Sequence, residues 1–282
     1  VTRDGVSPRR IARAFADLRE RGEVGFVPYL TFGDPEPGMT LELLEALERA
    51  GADLIELGVP FSDPAADGPV LQRAAERALA SGATLRGCLD VVGEFRRRST
   101  VPIVLFGYYN PIFRYGVERL TEDARTAGVD GILCVDLPPE EAGELDRASR
   151  AQGLDLIYLL APTSTLGRMR KVLSRARGFV YFVSVTGVTG LRAALPENLD
   201  TLVRSVKRLT PLPVGVGFGI STPEQAALVA GFADAVIVGS AIARVVEECD
   251  SDGDLIGEVE GFAGALAEAV RGARAAGVEE GR

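Results

Sequence analysis

The 282-residue sequence contains no histidine. That absence excludes imidazole acid–base chemistry and histidine-ligated metal sites. Lysine is nearly absent too. The two present, Lys171 and Lys207, sit in charged, helix-like stretches (RMRKVLSR and VRSVKRL) and not at strand ends. A Schiff-base lysine, or a lysine carrying a pyridoxal cofactor, is therefore not expected. The three cysteines, Cys88, Cys134 and Cys249, are far apart and show no CxxC spacing, which argues against a disulfide framework or a zinc site. Cys134 lies in an apolar run and reads as a buried thiol. No uninterrupted apolar run reaches the 18 residues of a membrane span, and Val1 to Arg10 has no apolar signal-peptide centre. A soluble, cytoplasmic protein is the expectation. The net charge is -9 with no Lys/Arg-rich block, so neither a nucleic-acid nor an anionic membrane surface is expected. Acid–base work is left to Asp, Glu, Tyr or Cys.

What is present is ample core material, 46% apolar against 25% charged residues. Eight β-type runs alternate with amphipathic helical stretches. They are 24–32, 53–61, 101–109, 131–137, 154–161, 178–185, 212–219 and 233–239. Nearly all-apolar strands imply a parallel sheet covered by helices. Eight β-then-α units in about 250 residues suit a closed (β/α)8 TIM barrel better than an open sheet. No Gly-x-Gly-x-x-Gly follows the first strand, which weakens a dinucleotide-binding alternative. Gly51, Gly82, Gly128, Gly153, Gly178 and Gly231 read as helix C-caps, and Thr222–Pro223–Glu224 as a helix start. Ser7–Arg21 reads as an extra N-terminal helix whose Ile11, Phe15 and Leu18 could plug the barrel bottom. No linker divides residues 1–282, so one domain is expected, with a core of about 8–272 and a fraying tail after Gly272.

Active sites of such barrels lie at the carboxyl ends of the strands. In Asp53–Leu54–Ile55–Glu56–Leu57–Gly58, alternation puts Leu54 and Glu56 on one face. If Ile55 and Leu57 meet the helices, Glu56 points into the barrel. A carboxylate there is costly unless it is partnered or functional, and an ion pair with an Arg in a neighbouring layer is the structural alternative. The next loop, 59–69, holds three prolines and two aspartates. Asp63 and Asp67 suit turn or helix capping equally well, or one of them stands over the barrel mouth opposite Glu56. Three glycine clusters close the last strands: Thr186–Gly187–Val188–Thr189–Gly190, Gly215–Val216–Gly217–Phe218–Gly219 and Gly239–Ser240–Ala241. They read either as tight βα turns or as a phosphate cradle, because the loops after strands seven and eight are this fold's recurrent phosphate site.

At these residues the sequence resembles the tryptophan synthase alpha chain family. The matching segments are FVPYLTFGDP (26–35), ADLIELGVPFSDPAADGPVLQRA (52–74), SVTGVTG (184–190), GVGFGIS (215–221) and VGSAI (238–242), within a likeness running from about Ile11 to Val270. The resemblance implies a lyase that cleaves indole-3-glycerol phosphate to indole and glyceraldehyde 3-phosphate in tryptophan biosynthesis. It implies Glu56 as the acid–base group and Asp67 as the carboxylate facing the indole nitrogen. Gly190, Gly219, Gly239 and Ser240 match phosphate-binding positions. Tyr29, Tyr108, Leu133, Tyr181, Phe218 and Ile237 match the indole pocket. Pro60 and Asp63 match the loop that meets a beta chain. The resemblance further implies an alpha2-beta2 assembly, with no cofactor on this chain and pyridoxal phosphate on the partner only. Val185–Thr186 stand where some members carry Arg–Ala, and Tyr29 where some carry Phe. A stand-alone indole-releasing lyase, an allosteric activator of a beta chain and another phosphate-binding barrel enzyme are the alternatives. The retained Glu56 and Asp67 speak against the activator. The missing histidine and the poorly placed lysines speak against a sugar-phosphate isomerase or aldolase.

Overall fold

A computed structural model describes residues 9–184, 198–217, 219–249 and 254–279, with side chains to residue 273. Eight parallel strands close into a barrel in sequence order. They are β1 (Gly25–Thr31), β2 (Ile55–Gly58), β3 (Ile103–Gly107), β4 (Gly131–Cys134), β5 (Asp155–Leu160), β6 (Val180–Val183), β7 (Val214–Gly217) and β8 (Ala235–Val238). The closing pair sets Gly25 beside Ala235 and Val27 beside Ile237. Each strand is shorter than its apolar run, because the run's outer residues belong to the turns at either end. Around the barrel lie α1 (Arg10–Arg21), α2 (Thr40–Arg49), α3 (Pro69–Ala80), α4 (Leu85–Arg96), α5 (Tyr109–Tyr115) and α6 (Val117–Ala127). They continue with α7 (Gly143–Gln152), α8 (Leu166–Leu173), α9 (Leu199–Lys207), α10 (Pro223–Ala230), α11 (Ser240–Glu248) and α12 (Leu255–Glu279). Among the described residues no helix is long and apolar enough to cross a membrane.

Strand alternation divides the apolar residues into two cores. Ile55, Leu57, Ile103, Leu105, Val180, Phe182, Val236 and Val238 pack outward under the helices. Val27, Tyr29, Leu54, Val104, Phe106, Ile157, Phe179, Tyr181 and Ile237 fill the barrel. On β7 the inward positions are Gly215 and Gly217. A Cβ on Gly217 would lie 2.1 Å from the Tyr181 hydroxyl, so that glycine makes room for the tyrosine.

The expected N-terminal plug is present. Ile11, Phe15 and Leu18 of α1 are buried with the inner core, and the Phe15 ring centroid lies 5.7 Å from that of Phe179. Two ion pairs hold this helix start to the barrel, Arg9 to Asp155 and Arg10 to Asp130. The Asp130 carboxylate also pairs with Arg96 at 3.2 Å and accepts the Ile103 N–H at 2.9 Å.

Two expectations about helix ends change. Gly231 follows α10 with φ -63, a right-handed conformation that any residue can adopt. Gly178 has φ +73 but stands in the turn that enters β6, not at a helix end. The last helix, α12, runs to Glu279 through an alanine-rich stretch of high helix propensity. Thr222 caps α10 as expected, its side chain accepting the Gln225 N–H.

Replacing Phe15 by Ala should lower the unfolding free energy by about 3 kcal/mol, the usual cost of emptying a buried aromatic site. Equilibrium urea unfolding measures this, and a loss below about 1 kcal/mol would mean that α1 is not part of the barrel core.

Candidate active site

Glu56 stands on β2, register partner to Tyr29 on β1 and Val104 on β3. Its neighbours Ile55 and Leu57 face the helices, so its own side chain points inward. It is 1% exposed. No cation pairs with it among the described residues, and its Oε1 has no hydrogen-bond partner. Among the described residues, the Arg ion pair that would have given it a purely structural role is therefore not formed. Burial disfavours the charged form and pushes this carboxyl up to about 8.

Asp67 lies at the end of the β2–α3 loop. Neither it nor Asp63 caps α3: the cap position is Gly68, with Pro69 in the first turn and no side-chain cap. Asp67 is buried, and Asp63 is exposed with its carboxylate accepting a hydrogen bond from Ser62. Local chemistry could not separate these two aspartates, and burial does. Gln72 Nε2 donates to the Asp67 carbonyl at 2.9 Å and fixes the backbone there. Burial raises the Asp67 carboxyl to about 6, opposed by a hydrogen bond from the Tyr108 hydroxyl. Its Oδ1 is buried with no partner.

A cleft of about 420 Å³ opens at this end of the barrel. It is lined by Tyr29, Glu56, Leu71, Phe106, Tyr181, Gly219, Ile220, Ile237, Gly239 and Ser240. Tyr29 and Tyr181 are both buried, and each extends its hydroxyl over a strand-end glycine, Gly58 and Gly217 respectively. Burial raises both phenols, Asp67 and Glu56 add to the effect, and they stay neutral. The Tyr29 hydroxyl accepts a hydrogen bond from Thr31 at 3.3 Å. On the other side of the cleft, Gly239 caps α11 and Ser240 opens it, with no side chain occupying the cap. Free first-turn N–H groups and the helix dipole favour an anion at that point. Gly219 has φ +79, which a side-chain-bearing residue adopts only under strain.

Of the residues singled out in the sequence, Tyr29, Glu56, Tyr181, Ile237, Gly219, Gly239 and Ser240 meet in this cleft. Tyr108 and Leu133 line a neighbouring apolar cavity with Val59 and Ile112. Pro60 is buried within the β2–α3 loop. Gly190, Phe218 and the 185–190 part of the sixth loop lie outside the described residues. Sequence reasoning passed over Phe106, Leu71 and Ile220. Phe106 meets the Tyr29 ring edge-on at 5.2 Å between centroids. Its signal was available, since it shares a face of β3 with Val104 as Glu56 does with Leu54 on β2. The two lysines pair with carboxylates, Lys171 with Glu140 and Lys207 with Asp234. Cys134 is buried, and its thiol donates to Asp136 at 3.3 Å.

The raised Glu56 carboxyl makes stability depend on pH. Between its ordinary 4.5 and the raised value of about 8, the folded chain holds a proton that the unfolded chain has released. This contribution is complete below pH 4.5 and is lost as pH rises towards 8. The expected outcome is that Glu56→Gln loses less stability than the parent between pH 5 and 9, by on the order of a few kcal/mol. Urea unfolding at both pH values gives the difference, and parallel losses in the two proteins would contradict a neutral, buried Glu56.

Comparison with known proteins agrees with this geometry. A family model described as tryptophan synthase alpha chain matches residues 15–271. The tryptophan synthase alpha chain of Citrifermentans bemidjiense is 53% identical over 261 residues, covering 93% of this chain and 97% of the relative. The crystal structure of tryptophan synthase subunit alpha from Legionella pneumophila superposes with a TM-score of 0.87 at 40% identity, covering 94% of this chain and 99% of that one. A structure of Mycobacterium tuberculosis tryptophan synthase gives 0.86 at 37% identity, covering 94% and 99%. With a matched family model across nearly the whole barrel, this chain belongs to the tryptophan synthase alpha chain family.

Proposed function

We propose that the cleft between Glu56 and the amino end of α11 is where this chain carries out its family's reaction. That reaction is the lyase cleavage of indole-3-glycerol phosphate to indole and glyceraldehyde 3-phosphate. The observation that carries the assignment is the pair of buried carboxyls at one barrel mouth, Glu56 with no cation and Asp67 with an unpartnered oxygen.

Breaking the bond between indole C3 and the glycerol chain would leave a carbanion at C3 unless C3 is protonated first. A neutral Glu56 gives C3 that proton. The ring then carries positive charge at its nitrogen, and the ionised Asp67 stabilises it. Glu56, now a carboxylate, takes the proton of the glycerol hydroxyl. The hydroxyl oxygen's electrons form the aldehyde, the C3–carbon bond breaks, and its electron pair returns to the ring. Glu56 ends protonated, so the proton count closes. Different environments give the two acids opposite protonation states near neutrality, as the sequence of steps requires. Gly219, Gly239 and Ser240 hold the phosphate at the amino end of α11. Tyr29, Phe106, Tyr181 and Ile237 supply the apolar walls for the ring.

No step calls for a metal or an organic cofactor on this chain. The partner is a tryptophan synthase beta chain, with pyridoxal phosphate assigned to that chain alone. Asp63, exposed at the tip of the β2–α3 loop, is a contact for it.

Glu56→Gln should lower indole release by about 10²–10⁴-fold, the usual contribution of a positioned acid–base group. Binding of glycerol 3-phosphate should stay within a few-fold of the parent. Asp67→Asn should fall by about 10²-fold or more, because it removes charge stabilisation in a water-poor site. Normal turnover by either variant, assayed with the beta chain present, would sink the role given to that residue. The pH profile of kcat/KM should be bell-shaped. It needs Asp67 ionised, above about 6, and Glu56 protonated, below about 8. A profile flat from pH 6.5 to 9.5 would remove Glu56 as the acid.

A further inference from the structure

Two helices, α3 and α11, stand apart from the ring that covers the barrel. In that ring α12 packs between α10 and α2, and α4 between α2 and α6. Helix α3 follows the Asp67 loop, and α11 lines the cleft with its amino end. These two pack on each other and on β1. Val70 and Ala74 of α3 meet Ala243 of α11 in a small apolar cluster. Leu71 packs against that cluster and the inner core, and it also lines the cleft. The far end of α3 lies on the β1–α2 loop. There the Ser81 hydroxyl donates to the Pro35 carbonyl at 2.9 Å, and a Cβ on Gly33 would come within 2.6 Å of Ala83.

One arginine joins α3, α11 and the β1–α2 loop. Arg77 of α3 grips Asp34 of that loop with two bonds, Nε to Oδ1 at 2.8 Å and Nη2 to Oδ2 at 2.9 Å. Its remaining nitrogen, Nη1, donates to Glu247 near the end of α11 at 2.7 Å. Asp34 is 1% exposed, so its charge depends on this partner. Arg73, one turn earlier on α3, also holds Glu247, at 2.6 and 2.7 Å, and among the described residues it bonds to no other side chain.

We infer that Arg77 is a positioning residue for the cleavage, spacing the phosphate seat on α11 from the Glu56 and Asp67 carboxyls. The inference rests on the placing of the phosphate at Gly239 and Ser240 above. The substrate must engage both ends at once, its phosphate at α11 and its ring at the carboxyls. Glu56 is fixed by the pairing of β2 within the barrel. Helix α11 is nine residues long and leaves β8 through a glycine, so its direction is set by what it packs on. The small side chains of Ala74 and Ala243 allow the two helices to slide. A planar guanidinium with bonds in fixed directions does not. A lysine would supply the charge without the fork.

The test reads kcat/KM for indole-3-glycerol phosphate, each variant assembled with the beta chain. Beside it runs competitive inhibition by glycerol 3-phosphate, which fills only the phosphate end. Removing the guanidinium outright would strand the buried Asp34 charge and destabilise the fold. The deciding variants are therefore Glu247→Gln and Arg77→Lys, each checked by urea unfolding. Both should lose about tenfold in kcat/KM, the scale of a misplacement by a fraction of an ångström. Their inhibition by glycerol 3-phosphate should stay within about twofold of the parent. Arg73→Gln leaves the Arg77 bridge in place and should stay within about twofold in both measures. Parent-like kcat/KM in either deciding variant overturns the inference and leaves the network a role in stability only. Inhibition that weakens in step with kcat/KM also overturns it, because the network would then build the seat instead of spacing it. So does a loss in Arg73→Gln as large as that in Arg77→Lys. Ser240→Asp tests the seat separately, since a carboxylate there should weaken glycerol 3-phosphate by about tenfold or more. Parent-like inhibition in that variant removes the phosphate site itself, a distinct failure.

Discussion

The burial of the Glu56 carboxyl without a cation is the constraint around which the barrel mouth is arranged. A charged carboxylate taken out of water into an apolar site costs far more than a small domain can offset, so the group keeps its proton. Any nearby cation would cancel this. Lysine is the flexible cation most easily introduced, and both lysines are on outer helices, engaged with Glu140 and Asp234. Around the carboxyl stand neutral side chains, Tyr29, Phe106, Tyr181 and Ile237. Two of them reach it only because Gly58 and Gly217 leave space where a Cβ would collide with a phenol oxygen. The neutral acid, the tyrosines and the strand-end glycines are one arrangement, and a side chain at either glycine would disturb all of it.

The opposite end of the barrel treats its carboxylates in the reverse way. Asp130 and Asp155 are as inaccessible as Asp67, yet each is paired with arginine. Their backbone duties are structural: Asp130 receives the N–H of Ile103 at the foot of β3, and both hold the start of α1 across the barrel floor. Removing an arginine there would leave a buried charge unmatched. The same residue type is therefore ion-paired at one end of the fold and leaves a buried oxygen unpartnered at the other. That division follows the general rule that such barrels keep stability below and reactivity above.

Much of this was legible in the sequence because β-strands obey a period of two. The run Leu54–Ile55–Glu56–Leu57 places its carboxyl inside the barrel once the flanking residues are assigned to the helices. Eight apolar runs likewise specify eight strands. The sequence was silent where two residues of one type share the same local chemistry. Asp63 and Asp67 differ in role because the loop turns back over the mouth, which only tertiary packing decides. The β3 run shows a related limit. In a run as apolar as VPIVLFGYY, no polar residue marks the face, and the sequence singled out Tyr108 for the cleft while passing over Phe106. Phe106 reached it, and Tyr108 lies beyond the strand's end and meets the loop instead.

Burial pushes both carboxyls at the mouth upward, Glu56 from 4.5 to about 8 and Asp67 from 3.8 to about 6, and only Asp67 has an opposing contribution. Both are nearly inaccessible, at 1% and 6% exposure. Burial acts on both in the same direction. Asp67 rides on a loop whose backbone is held by Tyr108 through the Ala66 N–H, whereas Glu56 is part of a strand and faces Tyr29, Phe106, Tyr181 and Ile237. A strand position gives a carboxyl few polar neighbours, and a returning loop supplies them. An acid that must stay neutral therefore belongs on a barrel strand, and one that must stay charged belongs on the loop above it. This chain places Glu56 and Asp67 accordingly.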